Sequence, residues 1–205
     1  MKNPYKFLLI ISLSLVYLVI AAGSIVRMTG SGMGCPDWPK CFGYLIPPTE
    51  KSQLEWKPLN SYKKGQIIIV DQTLKVASFD FVSGDYFKNK NWRPYTKHDY
   101  AVFNATHTWV EFINRLLGVI AGLSTLALFI VSLGMIKKDT LVTLISFLII
   151  VGMGFQAWLG KTVVDSNLLP FKITLHMGMA FIIVFLLIIL LYRENKPQKK
   201  ISYNI

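Results

Sequence analysis

The sequence has few charged residues for its length, and long parts of it have none. Only 16% of the 205 residues are Asp, Glu, Lys or Arg, whereas 53% are hydrophobic. Soluble domains carry about 25% charged residues, so this composition argues against a soluble protein. Four charge-free runs are each long enough to cross about 30 Å of hydrocarbon as a helix. They are 7–26, 116–136, 141–159 and 173–192.

The first run follows Lys2 and Lys6, and basic residues before an apolar run are also a feature of secretory signal peptides. Its apolar part is longer than the roughly 7–15 residues of a signal peptide, and 21–23 is the only small-residue cleavage candidate. An uncleaved helix is therefore predicted. The second helix is predicted to begin earlier than its charge-free run, at about 109–136, with Asn104 or Thr106 as its cap.

The net charge of +11 lacks the arrangement expected of a nucleic-acid-binding protein. Its cations are scattered rather than aligned on one face with aromatic residues between them, so no nucleic-acid partner is predicted. Basic residues flanking membrane helices explain the charge instead, with membrane lipid as the partner. Small residues in the helices are predicted to permit close helix packing. They are Gly118, Gly122, Gly152, Gly154 and Gly178.

The basic residues of the short flanks all lie on one side of a four-helix path. They are Lys2, Lys6, Lys137, Lys138, Arg193, Lys196, Lys199 and Lys200. The positive-inside rule makes that side cytoplasmic, together with both termini and a tail at about 193–205. We therefore predict an all-α membrane protein of the plasma (inner) membrane. It is a single four-helix bundle over 1–205, with a long extracytoplasmic loop at about 27–108 between the first and second helices.

This loop has two parts of different composition. The first, 27–48, is rich in Gly, Pro and Trp and is predicted to be turn-rich; the second, 49–100, is polar and aromatic with one strand candidate at 66–70. The chain has only two cysteines, Cys35 and Cys41, both in the first part. Their short, turn-forming spacer and an oxidising exterior predict a disulfide, either structural or redox-active. A thiol relay between two cysteine pairs is disfavoured, since there is only one pair.

Polar residues gather at the outer ends of the helices. Glu111, Asn114 and Arg115 lie in the first two turns of the second helix, where such a cluster is either functional or an interfacial collar. His176 lies near the start of the fourth helix, at a depth similar to that of Asn114. It is a metal or heme ligand, a proton carrier or a packing hydrogen bonder. His107 shares the face of Glu111 if the helix extends that far, and His98 is predicted to be solvated.

Three segments resemble the heme A synthase family, cytochrome oxidase assembly proteins that oxidise a heme methyl group to a formyl group. The first is GSIVRMTGSGMGCPDWPKCFG, which resembles the start of the family pattern. The second is HTWVEFINRLLG, which resembles the Glu-x-x-His-Arg motif of the second helix. The third is QAWLGKTVVDSNLLPFKITLHMGMAF, which resembles the stretch ending in a heme-ligating histidine. The three occur in the family's order and on the expected side of the membrane.

The resemblance implies roles for individual residues. Glu111 matches the acidic residue implicated in catalysis and Arg115 the basic residue beside it. His176 matches a ligand of the heme iron in the substrate pocket. Cys35 and Cys41 match the family's outer-loop cysteine pair.

The sequence departs from the family pattern at Asn114, where the motif usually has histidine. An amide is a poor iron ligand, so the alternatives are a heme held by His176 alone or a second ligand from His107. The geometry favours the first, because His107 is two turns from the matching site. Arg27, at the outer end of the first helix, is predicted from its position to pair with a heme propionate.

The sequence also resembles only one half of the family, whose full members have eight helices and carry a heme b in the second half. The resemblance implies a heme A synthase-like oxidoreductase that oxidises a methyl group of heme O, with heme O synthase and terminal oxidase assembly as partners. A homodimer or pairing with a second four-helix chain is predicted to complete it. The alternative is a non-catalytic heme-binding partner in oxidase assembly.

Overall fold

Four long helices form the membrane part of the chain. The computed structural model describes residues 4–96 and 102–195, and its helices are α1 (Pro4–Met28), α2 (Ala105–Leu133), α3 (Thr140–Asp165) and α4 (Pro170–Asn195). Each is long and apolar enough to span a membrane, which confirms the prediction of a four-helix membrane protein. Some residues used in the sequence argument lie outside the described residues. They are Lys2, His98, Lys196, Lys199 and Lys200.

The helix ends differ from the charge-free runs for local reasons. α2 begins at Ala105 because the Asn104 side chain caps it, accepting a hydrogen bond from the His107 N–H at 3.2 Å. α3 continues past 159, where Lys161 and Asp165 lie 3.6 Å apart as an i,i+4 pair. α2 ends three residues before 136, and Gly134 follows it as the C-cap.

The helices pack as a four-membered ring. α1 and α3 each pack against both α2 and α4, so α2 and α4 lie at opposite corners. We call the end of the bundle that carries residues 29–96 the loop end, and the opposite end the far end. Lys6, Lys137, Lys138 and Arg193 all lie near the far end.

The main apolar core lies toward the far end. Its buried residues come from the first halves of α1 and α3 and the second halves of α2 and α4. They include Leu9, Val16, Ala121, Leu128, Ile145, Ile149, Ile183 and Leu187. Tyr5 and Ser146 bridge α1 and α3 there with a 3.1 Å hydrogen bond. Asp139 and Arg193 join the α2–α3 turn to α4 at this end, with N–O distances of 2.9 and 3.0 Å.

Close helix packing relies on fewer glycines than predicted. A Cβ added at Gly152 would lie 2.9 Å from the Met179 side chain and 3.3 Å from that of Ile183, so α3 and α4 approach closely there. The other four predicted glycines, Gly118, Gly122, Gly154 and Gly178, have open space at the corresponding position. Their small size is not used for packing within this chain.

The described part of the loop, up to residue 96, contains five short strands, whereas the sequence predicted one. β2 (Ile67–Val70) confirms the predicted strand and forms an antiparallel sheet with β3 (Thr73–Ala77) and β5 (Trp92–Pro94), in the order β2-β3-β5. β1 (Ser61–Tyr62) pairs with β4 (Phe81–Val82). Asp71 and Gln72 connect β2 and β3, and both have positive φ (48° and 58°), as expected for a tight hairpin turn.

The cysteines belong to the core of this folded loop. Cys35 and Cys41 cluster with Leu54, Ile67 and Val76 from the sheet and its flanks. The Ile67 N–H also donates to the Phe42 carbonyl at 3.0 Å. Residues 34–44, which we call the cysteine loop, are therefore continuous with the β-sheet rather than separate from it.

Candidate functional site

Glu111 and Arg115 fix the cysteine loop to α2. They are one helical turn apart, and Glu111 is 4% exposed. One oxygen of the Glu111 carboxylate accepts the Cys35 N–H at 2.8 Å, and the other forms an ion pair with the Arg115 guanidinium. Both oxygens are thus engaged within the protein.

Arg115 provides most of the hydrogen bonds across this junction. Its guanidinium donates to the carbonyl oxygens of Asp37 at 2.7 Å, Lys40 at 3.0 Å and Cys35 at 3.3 Å. A planar fork of donors suits a turn whose carbonyls converge on one point, a geometry that lysine cannot match. We call this arrangement of Glu111 and Arg115 with the cysteine-loop backbone the loop clamp.

A second contact between α2 and the cysteine loop lies about one helical turn before Glu111 and reinforces the loop clamp. The Thr108 hydroxyl donates to the Gly34 carbonyl at 2.8 Å. A Cβ added at Gly34 would lie 2.4 Å from the His107 carbonyl oxygen, so only glycine allows the two backbones to come this close. Neither contact was predicted, since both join segments more than seventy residues apart.

The predicted disulfide between Cys35 and Cys41 is present, with an S–S distance of 2.06 Å. Both cysteines are buried, at 0% and 1% exposure. Thiol–disulfide exchange requires access to a sulfur atom, so the observed state fits a structural staple better than a reactive pair.

Asp37 organises the turn between the two cysteines. Its Oδ2 accepts the Gly43 N–H at 2.9 Å, whereas its Oδ1 is buried without a hydrogen-bond partner. Burial raises the pKa of the Asp37 carboxyl, and the Gly43 N–H and the nearby Arg115 partly oppose that shift. Asp37 was not among the predicted site residues.

Asn114 faces α1 rather than the loop clamp. Its Oδ1 lies 3.8 Å from where a Cβ on Gly23 would be, and it is buried with no hydrogen-bond partner. Gly23 thus leaves room for the amide between α1 and α2. The predicted polar cluster on α2 therefore divides, with Glu111 and Arg115 on the cysteine loop and Asn114 inside the bundle.

His176 lies between α3 and α4, in the loop-end half of the bundle. The Gln156 amide nitrogen donates to the His176 carbonyl oxygen at 3.0 Å and lies 3.5 Å from the ring Nε2. The ring packs against Gly160, where an added Cβ would lie 3.3 Å from its Cε1. His176 Nδ1 and Gln156 Oε1 are both buried without a partner.

Gln156 was missed in the sequence, although a signal for it exists. It is the one amide in a charge-free run and shares a helical face with Ile149 and Gly152, both buried. With Asn114 and His176 it places three unpartnered polar atoms inside the loop-end half of the bundle. Buried polar atoms usually have partners, so this set indicates a site for a ligand or water.

Arg27 and His107 lie at the edge of this region. The Arg27 side chain is exposed and contacts the Met177 sulfur at 3.5 Å, which places it beside the residue that follows His176. His107 lies in the first turn of α2 and is therefore helical rather than part of the loop.

Comparison with known proteins identifies the family of this chain. Residues 6–83 and 86–204 match the model of a family described as cytochrome oxidase assembly protein. The heme A synthase of Shewanella oneidensis is 28% identical over 196 residues, which are 96% of this chain and 47% of that protein. The heme A synthase of Flavobacterium psychrophilum is 30% identical over 193 residues, 89% of this chain and 50% of that protein.

A third relative, the heme A synthase of Nitrosomonas eutropha, is 28% identical over 187 residues, 88% of this chain and 45% of that protein. The chain thus spans about half the length of the curated relatives it matches. No solved structure matches the chain. Because the family match runs through all four helices and the loop, the chain belongs to the cytochrome oxidase assembly protein family.

Proposed function

We propose that this protein binds a farnesylated heme in the loop-end half of its bundle and takes part in the oxidation of a heme O methyl group toward heme A. The observation that carries the proposal is His176, whose carbonyl accepts from Gln156 and whose ring packs against Gly160, while its Nδ1 is buried and unpartnered. A neutral imidazole nitrogen is a common ligand of heme iron.

The residues near His176 fit a heme. Gln156 and Gly160 contact His176, Gly23 and Asn114 lie between α1 and α2 in the same half of the bundle, and the main apolar core lies toward the far end. Arg27 has its guanidinium free of any carboxylate among the described residues and would bind a propionate. His176 would be the axial ligand, and the iron would supply the oxidation chemistry at the methyl group when heme is bound.

Asn114 and His107 are not proposed as iron ligands. The amide oxygen of Asn114 is a hydrogen-bond acceptor that suits a porphyrin substituent or an ordered water better than iron. His107 lies on the turn of α2 that packs against Gly34, nearer the loop than Asn114. The proposal therefore assigns one protein ligand, His176, to the iron.

Glu111 and Arg115 form the loop clamp, and we propose that their role in the reaction is to position the cysteine loop over the heme pocket. The catalytic role that the resemblance implies for them stays a prediction. Glu111→Gln separates the two roles when closure of the cysteine loop is measured beside product formation, because the substitution removes both the titratable carboxyl and its ion pair with Arg115. A positioning role predicts that product falls only as far as the cysteine loop opens, whereas an acid–base role predicts that product is lost while the loop stays closed and heme still binds.

The proposed orientation places the loop outside the plasma (inner) membrane and both termini in the cytoplasm. Lys6, Lys137, Lys138 and Arg193 support it, since all lie near the far end of the bundle. A periplasmic reporter enzyme inserted in the α2–α3 turn is expected to be inactive, and an active one would reverse the orientation. Heme O synthase and terminal oxidase are the proposed partners, and a second four-helix unit, in a homodimer or a separate chain, would provide a heme b for electron transfer.

Pigment analysis tests the function. The protein is purified from cells that make heme O, and its hemes are extracted and quantified. Wild type is expected to carry heme and to yield hydroxylated or formyl heme. His176→Ala is expected to lose at least about 90% of bound heme, since the iron then has no protein ligand. His107→Ala serves as the matched control and is expected to retain heme; the reverse pattern would overturn the ligand assignment.

A second candidate function is a non-catalytic heme-binding partner in oxidase assembly. Asn114 favours it, since the family motif has histidine at that position. It predicts that heme co-purifies while hydroxylated and formyl hemes stay absent. Product from a preparation of this chain alone would exclude it.

A further inference from the structure

The chain crosses the end of the bundle before the cysteine loop and then descends along α2. A Cβ added at Gly32 would lie 3.1 Å from the Leu168 side chain, in the turn between α3 and α4. Further along the chain, Arg115 on α2 donates to the carbonyl oxygens of Asp37 at 2.7 Å and Lys40 at 3.0 Å. We call residues 37–40 the loop tip. The loop tip therefore lies beside α2.

The loop tip lies at the depth where the charge-free part of α2 begins. This part starts at Leu116, and α2 ends at Leu133, about 27 Å further along the helix axis. That length nearly fills a hydrocarbon core of about 30 Å. Glu111 and Arg115, which hold the cysteine loop, lie within about 8 Å of Leu116 along the helix. The headgroup layer extends roughly 5–8 Å beyond the hydrocarbon, so the loop tip is level with the membrane interface.

The face of α2 below the loop tip is turned outward. Val119 and Leu126 follow Arg115 by four and eleven residues, which places all three on one side of the helix. Val119 is 58% exposed and Leu126 is 40% exposed. Apolar side chains exposed on a membrane-spanning helix are available to lipid. The loop tip thus lies above a surface that can face the acyl chains.

The backbone around the loop tip is largely hydrogen-bonded within the protein. Arg115 donates to three of its carbonyl oxygens. The Tyr95 hydroxyl donates to the Pro36 carbonyl at 2.6 Å, and the Tyr44 N–H donates to the Cys41 carbonyl at 3.0 Å. The two prolines between the cysteines have no N–H that needs a partner. Unpaired backbone groups keep a chain out of an apolar phase, so this pairing allows the loop tip to leave water.

We propose that the loop tip is inserted in the membrane interface at the loop end, with phospholipid as its partner. Trp38 is 38% exposed and combines apolar rings with an N–H donor, a combination enriched at membrane interfaces. Lys40 is exposed, and its long side chain can place the ammonium at lipid phosphates while the stem contacts apolar surface.

The neighbouring tryptophan and lysine fit lipid better than a second copy of this chain. Lysine is depleted from the cores of protein–protein interfaces, whereas headgroup phosphates complement its charge. Lipid contact then supports the closed cysteine loop from outside, in addition to the loop clamp. The inference goes beyond the proposed function and does not depend on heme binding.

Fluorine NMR of protein labelled with fluorotryptophan tests the position of Trp38. The full-length protein is reconstituted in phosphatidylcholine nanodiscs, and Trp38→Phe assigns one of the five indole signals. Two relaxation agents are compared, a phosphatidylcholine with a nitroxide near the start of its acyl chain and a water-soluble gadolinium chelate. The Trp38 signal is expected to lose most of its intensity with the spin-labelled lipid and to keep most of it with the chelate.

Two other tryptophans, assigned by their own Phe variants, serve as controls. Trp158 is 55% exposed within the charge-free run of α3 and is expected to respond to the spin-labelled lipid. Trp56 lines a small cavity with Ser83 and Asn91 in the folded loop and is expected to respond to the chelate. A Trp38 signal that behaves like that of Trp56 would place the loop tip in water and overturn the proposal. Protection of Trp38 from both agents would mean that protein, such as a second copy of the chain, covers the loop tip, and would overturn it as well.

Discussion

The loop clamp gives a quantitative prediction for Arg115→Met. The substitution removes three hydrogen bonds to the cysteine-loop carbonyls and leaves the Glu111 carboxylate buried without its cation. Removing one partner of a buried ion pair costs about 3–5 kcal/mol. The Arg115 side chain is 14% exposed, so solvent screening favours the lower value, about 3 kcal/mol. We expect the population with an open cysteine loop to rise about a hundredfold.

Reduction of the disulfide measures this opening, since both cysteines are buried in the closed state. The protein is treated with a mild thiol reductant, quenched at intervals with a polyethylene-glycol maleimide and analysed by gel shift. Arg115→Met is expected to be reduced about a hundred times faster than wild type. Lys40→Met is the control, because Lys40 contributes its backbone carbonyl and not its side chain. Wild-type kinetics in Arg115→Met would refute the clamp, and adding Glu111→Met is expected to slow the reduction again.

Two further predictions concern packing and charge. Gly34→Ala places a methyl group 2.4 Å from the His107 carbonyl and is expected to lower the melting temperature of the purified protein, whereas Gly84→Ala, with open space at its Cβ, leaves it unchanged. The Arg193 guanidinium lowers the pKa of the Asp139 carboxyl, so the pair stabilises the folded state above the ordinary Asp pKa of about 4 and loses this effect as pH falls through the lowered folded-state value. Asp139→Asn is therefore expected to have a lower melting temperature than wild type at pH 7 and the same melting temperature at low pH. Asp71→Asn, in the β2–β3 turn, is the control and is expected to have the wild-type melting temperature at both pH values. A destabilisation by Asp139→Asn that persists unchanged at low pH would contradict the charge argument.

The four helices could be predicted because a membrane requires long apolar runs and the sequence contains four of them. The end of α3 could not be placed in the same way, since the helix continues through Lys161 and Asp165 after its charge-free part ends. The loop sheet was mostly missed because β1, β4 and β5 have only two or three residues, too few to show an alternating pattern. Only β2 has a recognisable apolar run.

The site was predicted in part. The spacing of Glu111 and Arg115 places them on one helix face, but nothing local shows that this face meets a backbone turn more than seventy residues earlier. Asn114 points elsewhere because a three-residue step on a helix rotates by about 60° from the face of Glu111, and Gly23 on α1 receives it. The environment of His176 depends on Gln156, whose place as a lone amide in a charge-free run is visible in the sequence but whose partner on α4 appears only when α3 and α4 pack together.

The uneven distribution of the core has a mechanical consequence. At the far end the helices are held together by tightly packed aliphatic side chains, the Tyr5–Ser146 bridge and the Asp139–Arg193 pair. At the loop end α3 and α4 are joined by the short turn between Asp165 and Pro170, and buried polar atoms of Asn114, Gln156 and His176 have no hydrogen-bond partner. Tight aliphatic packing thus stiffens the far-end half, whereas the loop-end half keeps interior polar groups that a ligand or water would satisfy.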